Sequence, residues 1–147
     1  MVAERDNLEL VGAVEIDPAK VGKDVAEVIG LDAPLGIEVK PGIGEVGAGA
    51  DVVLHTTNSF FDQFANQVAE LLEAGFDVVS TSEELSFPWH YHAAAATELE
   101  AIAKKAGKTV LGTGVNPGFL MDSLPIFLTS ISQTVDHIDV RRVINAT

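Results

Sequence analysis

At 147 residues, 47% of them apolar, the chain is long enough for one domain with a sizeable core and too apolar to be disordered. A net charge of −13, from 22 acidic against 9 basic residues spread along the chain, repels nucleic-acid phosphates and anionic membrane surfaces. Zero cysteines exclude disulfides, thiolate metal sites and cysteine nucleophiles, and no apolar run approaches the ~18–20 residues of a membrane span. Ala3-Glu4-Arg5-Asp6-Asn7 is charged with no apolar core behind it, so no signal peptide is read and a cytoplasmic location is expected.

Residues 8–16 read as a strand, with Leu8, Leu10, Val14 and Ile16 on one face and Val11 and Ala13 filling the other. Apolar residues on both faces suit a buried parallel strand. Asp17-Pro18 ends it. Val21, Val25, Val28 and Ile29 then follow a helical spacing, closed by Gly30. Ile37-Glu38-Val39 is a short strand at best, and residues 40–49 read as loop. Asp51-Val52-Val53-Leu54 is the next strand. Phe61, Phe64, Ala65, Val68, Leu71 and Leu72 make the apolar face of a helix, with Gly75 where a C′ residue belongs. Residues 76–79 form another strand. His92, Ala95, Ala96, Leu99, Ile102, Ala103 and Ala106 mark a second helix ending at Gly107, and residues 109–111 a further strand. A helix is expected over about 118–130, with Pro117 as its opening punctuation. Residues 136–144 alternate through Ile138, Val140, Val143 and Ile144 and look like a strand beginning something new.

Strands alternating with helices argue for a parallel sheet wound by crossovers, an α/β Rossmann-like doubly wound fold. No strand with a glycine-rich phosphate turn stands ahead of residues 8–16, so the sheet is expected to be incomplete, lacking its first strand and that turn. In the strand order 3-2-1-4-5-6 the missing strand separates 8–16 from 51–54, leaving a gap of roughly two strand spacings, about 9–10 Å.

Gly42-Ile43-Gly44-Glu45-Val46-Gly47 spells the dinucleotide fingerprint, yet Ala48-Gly49-Ala50 and a strand follow it instead of a helix. Phosphate capture needs a helix N-terminus after the last glycine. Gln67 stands about twenty residues on, where an acidic ribose ligand belongs. The motif is read as a surface loop.

Ligands of open α/β sheets bind outside the carboxyl ends of the strands. Three polar segments occupy such ends: His55-Thr56-Thr57-Asn58-Ser59, Ser80-Thr81-Ser82-Glu83-Glu84, and Gly112-Thr113-Gly114-Val115-Asn116-Pro117-Gly118. Thr56, Thr57, Asn58, Ser59 and Ser82 offer hydroxyl, amide and backbone donors to a pyrophosphate or ribose, or simply cap the helices that follow. Gly112, Gly114 and Gly118 leave backbone open to a flat ring, and Asn116 offers an amide. Glu83 and Glu84, beside Leu85 and Phe87, suit a general acid or base. Their alternative is favourable charge in a first helical turn. Asp17, ending the second strand of the architecture, is placed to receive adenosine-ribose hydroxyls, or to shape a turn with Pro18. Lys20 could reach a 2′-phosphate. His90 and His92 form an H-x-H pair without a third ligand of suitable spacing, so no metal is assigned. His92 on the apolar stripe reads as a structural imidazole, and His55 could lie near a cofactor.

Val14-Glu15-Ile16-Asp17-Pro18, Val21-Gly22-Lys23-Asp24-Val25, the S-T-x-E-E-L-S-x-P run of 80–88 and G-T-G-V-N-P-G-F-L-M-D over 112–122 resemble the 2,4-diaminopentanoate dehydrogenases. Native amine dehydrogenases stand beside these among the dihydrodipicolinate-reductase-like Rossmann proteins. The resemblance runs over most of the chain. It implies NAD- or NADP-dependent oxidative deamination of an amine, or reductive amination in reverse. Glu83 and Glu84 would supply the carboxylate that holds the ammonium and moves protons. Asp17 would take the adenosine ribose, and Thr56–Ser59, Ser82, Gly114, Asn116 and Pro117 would line cofactor and substrate. Residues 1–135 would be a partial NAD(P)-binding domain and 136–147 the start of a substrate and dimerisation domain. The polypeptide would thus be a fragment of a homodimeric enzyme and inactive alone. Two alternatives stay open: another oxidoreductase of this group, such as a cyclic-imine reductase or a homoserine-type enzyme, or a non-catalytic nucleotide-binding module.

Overall fold

The computed structural model describes residues 2–46 and 49–143. The chain forms two compact units, Met1–Asp51 and Val52–Thr147.

In the first unit, β1 (Ala13–Val14) lies parallel to β2 (Val39–Lys40), with the short helix α1 (Val25–Ile29) between them in sequence. The strand expected over 8–16 shrinks to two residues because a strand persists only where a partner supplies its ladder. That partner is stopped by Pro41, which has no N–H to give. The helix expected from Val21 begins at Val25 instead. Asp24 sets that start: its carboxylate accepts from Ala26 N (2.8 Å) and also from Leu35 N (3.1 Å) and Gly36 N (2.7 Å). One side chain thereby caps α1 and ties the loop before β2 to it. Gly30, at φ 76°, closes the helix as expected. Of the glycine-rich loop, Ile43–Glu45 forms a single 3₁₀ turn. Gly47, the last residue of that motif, lies outside the described residues.

The second unit holds a three-stranded parallel sheet in the order β3 (Val52–His55), β4 (Asp77–Ser80), β5 (Val110–Gly112). Helix α2 (Phe61–Glu73) links β3 to β4, and α3 (Trp89–Ala106) links β4 to β5. Phe61, Phe64, Val68 and Leu72 recur every three to four positions along α2 and are fully buried. With Val78 of β4 and Ala96 and Leu99 of α3 they make the core. Helix α3 breaks at His92, whose φ of −128° and ψ of 41° leave the helical region.

Two expectations fail here. The helix predicted from 118 starts as α4 only at Leu124–Thr129, with Pro125 in its first turn where Pro117 was expected. Gly118 takes φ 116°, a left-handed conformation no helix continues through, so Val115–Ser123 is an irregular turn. No strand forms over 136–143, which have no ladder partner; Ile144 lies outside the described residues. The alternation of parallel strands and helices otherwise matches a Rossmann-like α/β fold. Among the described residues, five strands form two separate ladders.

Candidate functional site

His55, Ser80 and Gly112 are register partners across the second unit's sheet, so three loops leave the strand ends from one row. Beneath that row lies a buried polar relay. His55 is 4% exposed, Ser82 2% and Ser80 fully buried. Gln67 Oε1 can only accept, so His55 Nε2 carries the proton and donates to it at 3.1 Å. His55 Nδ1 is left to accept from Ser80 Oγ at 2.9 Å, and Ser80 Oγ in turn accepts from Ser82 N at 3.1 Å. Thr57 Oγ1 donates to the same Gln67 oxygen at 2.7 Å and sits 2.9 Å from Nε2. Ser82 Oγ donates to the Asn58 carbonyl, bolting the first loop to the second. Sequence reasoning placed His55 near a cofactor and missed this relay; its only trace was an imidazole and an amide amid apolar positions.

The two glutamates stand in different surroundings. Glu84 Oε2 accepts from Phe61 N at 2.6 Å, the first backbone donor of α2, and from His92 Nε2 at 3.1 Å. His92 stacks on Phe61 with ring centroids 5.0 Å apart, and its Nδ1 lies 3.4 Å from Asp62 Oδ1. Glu84 therefore caps a helix from outside, since Phe60 makes no side-chain cap. Its own N–H reaches the Ser59 carbonyl at 3.3 Å. Glu83 is exposed, and among the described residues nothing bonds its carboxylate.

The donors expected around these carboxylates divide in the same way. Asn58 is committed to its own loop, accepting from Phe60 N at 3.0 Å and donating to Gln63. Thr57 and Ser82 are committed to the relay. The hydroxyls of Thr56 and Ser59 have no partner among the described residues, and neither do the backbone N–H groups of 56–59. Such a run of free N–H groups is suited to an anion or a ribose oxygen.

In the third loop two of the three glycines, Gly112 and Gly118, serve the protein's own packing. A Cβ on Gly112 would meet the Leu85 and Ser86 backbone at 2.7–2.8 Å, and one on Gly118 the Thr113 hydroxyl at 2.6 Å. At Gly114 the nearest neighbour, the Pro117 carbonyl, is 3.5 Å away, an ordinary contact. The Asn116–Pro117 peptide is cis, and the half-buried Asn116 amide has no partner among the described residues. Gly118 N donates to Asp122 Oδ2 at 2.8 Å, holding the turn.

Asp17 belongs to the first unit. Its Oδ1 accepts from Ala19 N at 2.9 Å, and its Oδ2 lies 3.8 Å from Lys20 Nζ, outside hydrogen-bond range. One oxygen is thus free to accept from a hydroxyl. Within the second unit, the row of N–H donors at 56–59, the Asn116 amide and the unpaired Glu83 carboxylate all leave the same ends of the sheet.

The chain is 39% identical over 94 residues to the 2,4-diaminopentanoate dehydrogenase of Acetoanaerobium sticklandii, a match covering 64% of this chain and 27% of that one. It is 28% identical over 143 residues to the amine dehydrogenase of Streptomyces virginiae, covering 92% of this chain and 39% of that one. Among solved structures it is similar to the amine dehydrogenase from Mycobacterium smegmatis, with a TM-score of 0.76 and 30% identity over 84% of this chain and 37% of that chain. No family model matches the chain. The chain thus spans between 27% and 39% of the length of these relatives, and the resemblance read in its motifs is to the dehydrogenases they name.

Proposed function

We propose that the chain is the cofactor-facing part of an NAD- or NADP-dependent oxidoreductase acting on the C–N bond of an amine. The observation that carries this reading is the unpaired Glu83 carboxylate at the end of β4, one residue from a Glu84 fixed by Phe61 N and His92. The names of the similar proteins support it. When bound, a nicotinamide supplies the hydride acceptor for oxidative deamination, or the donor for reductive amination.

The chain's own groups do the rest. Glu83 holds a substrate ammonium by charge and takes its proton as the imine forms, a task suited to an unpaired carboxylate. Glu84 stays bound to Phe61 N and keeps Glu83 at the rim. The free N–H row of 56–59 and the hydroxyls of Thr56 and Ser59 bind phosphate or ribose oxygens. Asp17 Oδ2 accepts from an adenosine-ribose hydroxyl, and the Asn116 amide lies ready for a nicotinamide or substrate. Residues 136–147 would open the substrate and dimerisation domain of a homodimer, and the 147 residues alone would not turn over.

The test is amine-dependent NADH or NADPH formation by a polypeptide joining these residues to a glycine-rich turn and a substrate domain. Turnover is expected, and Glu83→Gln should lower it at least about tenfold. Unchanged turnover in Glu83→Gln would remove the catalytic assignment.

A further inference from the structure

The turn after β1 is already filled by its own carboxylates. Glu15 Oε1 accepts from Ile16 N at 2.9 Å and Asp17 N at 3.4 Å, while Glu15 Oε2 binds Lys20 Nζ at 2.8 Å. Pro18 has no N–H. Ala19 N donates to Asp17 Oδ1, and Lys20 N and Val21 N both donate to the Asp17 carbonyl at 2.9 and 3.0 Å. Gly22 N goes to the Val39 carbonyl at 2.9 Å and Lys23 N to the Lys20 carbonyl at 3.2 Å. Every backbone donor from 16 to 23 is therefore taken by an acceptor of this chain, and the ammonium beside Asp17 is paired with Glu15 through one of its three N–H groups. The Lys20 bond, followed by those from Ile16 N and Asp17 N, holds the Glu15 carboxyl below its ordinary range, and Glu15 holds the Lys20 ammonium above its own.

A ribose 2′-hydroxyl needs one acceptor here, and Asp17 Oδ2 is free to be it. A 2′-phosphate brings about −1.5 to −2 charges and needs donors. It would find two carboxylates against one ammonium, with every backbone donor taken and the ammonium charge already paired with Glu15. We infer that Glu15, by sequestering Lys20 and the N–H groups of Ile16 and Asp17, makes this chain select NAD over NADP. This deepens the dinucleotide reading above and rests on it. Lys20, the obvious phosphate ligand in the sequence, becomes a spectator, and Glu15 becomes the specificity-determining residue.

Direct titration of the full chain with NADH and with NADPH, followed by nicotinamide fluorescence and calorimetry, tests it. NADH should bind at least about tenfold more tightly than NADPH. Glu15→Gln, which frees Lys20, should tighten NADPH about fivefold or more and shift NADH less than about twofold. Lys20→Gln, an exposed change that leaves every backbone bond of the turn intact, should alter neither affinity by more than about twofold. Equal or tighter binding of NADPH by the unaltered chain would overturn the inference while leaving the dinucleotide reading intact. So would a selective loss of NADPH binding in Lys20→Gln, by showing that Lys20 does hold the phosphate. Absence of binding by both dinucleotides would overturn the underlying reading, and the inference with it.

Discussion

Glu83 and Glu84 are one position apart, and the sequence marks both as rim carboxylates; what separates them is Phe61 N, 23 residues upstream of Glu84, and His92, eight residues downstream. No local pattern carries that information, because the cap comes from a different loop than the one preceding the helix. The separation has a measurable form. Glu84→Ala strips the outside cap from α2 and leaves His92 Nε2 without its carboxylate, which should cost about 1–3 kcal/mol of stability. Glu83→Gln touches no internal partner and should stay within about 0.5 kcal/mol. Urea unfolding midpoints of the two variants compare them directly. If Glu83→Gln were the destabilised one, the roles assigned to the pair would have to be exchanged. The same blindness hid the His55 relay, whose members Thr57, Gln67, Ser80 and Ser82 each look like ordinary loop or helix polarity when read alone.

Elements were legible in proportion to how much of their cause lies inside them. Helix α2 carries its own stripe and its own glycine stop, so it begins at Phe61 as expected. The strand over 8–16 is shorter than its apolar pattern suggests because its length depends on Pro41, far away in sequence. The helix starts at Leu124 and not at 118 because an apolar spacing says nothing of the φ that Gly118 adopts. Gly112 shows how tightly elements can be spaced. Its sequence suggests room for a cofactor ring, but the Leu85–Ser86 backbone takes that space. Gly112→Ala would push backbone against backbone and should destabilise the second unit by about 1–3 kcal/mol, seen as a lowered thermal midpoint; an unchanged midpoint would show the two segments can separate freely.

Asp24 supplies the corresponding test in the first unit. Hydrogen bonds, first from Ala26 N and then from Leu35 N, hold its carboxyl below the usual range. A lowered folded-state value means the stabilisation is fully present above the unfolded value of about 3.9 and fades as pH falls through the folded one. The gap in unfolding midpoint between the parent and Asp24→Ala should therefore be wide at neutral pH and should shrink as the pH falls below the unfolded value of about 3.9. A gap of constant width across that range would mean the ionised carboxylate is not what secures the helix start.

At the scale of the whole chain, two opposed quantities set its behaviour in solution, and only one was readable beforehand. The charge of −13 is plain in the composition. The uncovered apolar surface is not, because it depends on which side of the sheet the helices take. Val78 and Ser80 are buried beneath α2 and α3, while Val52, Leu54 and Leu111 on the opposite face are 39%, 52% and 51% exposed. Parallel sheets are normally covered on both faces. Beyond the sheet, Ile16, Phe127 and Ile131 are exposed as well. Among the described residues, strands β3 and β5 each have a ladder partner on one side only, and open edges invite association. Repulsion between like-charged copies opposes that contact while it reaches across the gap, over about 10 Å at 0.1 M salt but only about 3 Å at 1 M. Self-association should accordingly grow with ionic strength, and also as pH falls toward the isoelectric point near 4.4. Replacing Leu54 and Leu111 with lysine should suppress the salt-driven part by placing charge on the open face, although it lowers the net negative charge by two. Sedimentation velocity at low and high salt reads this out. A chain that stays monomeric at 1 M salt would show that the open sheet face does not drive contact between copies.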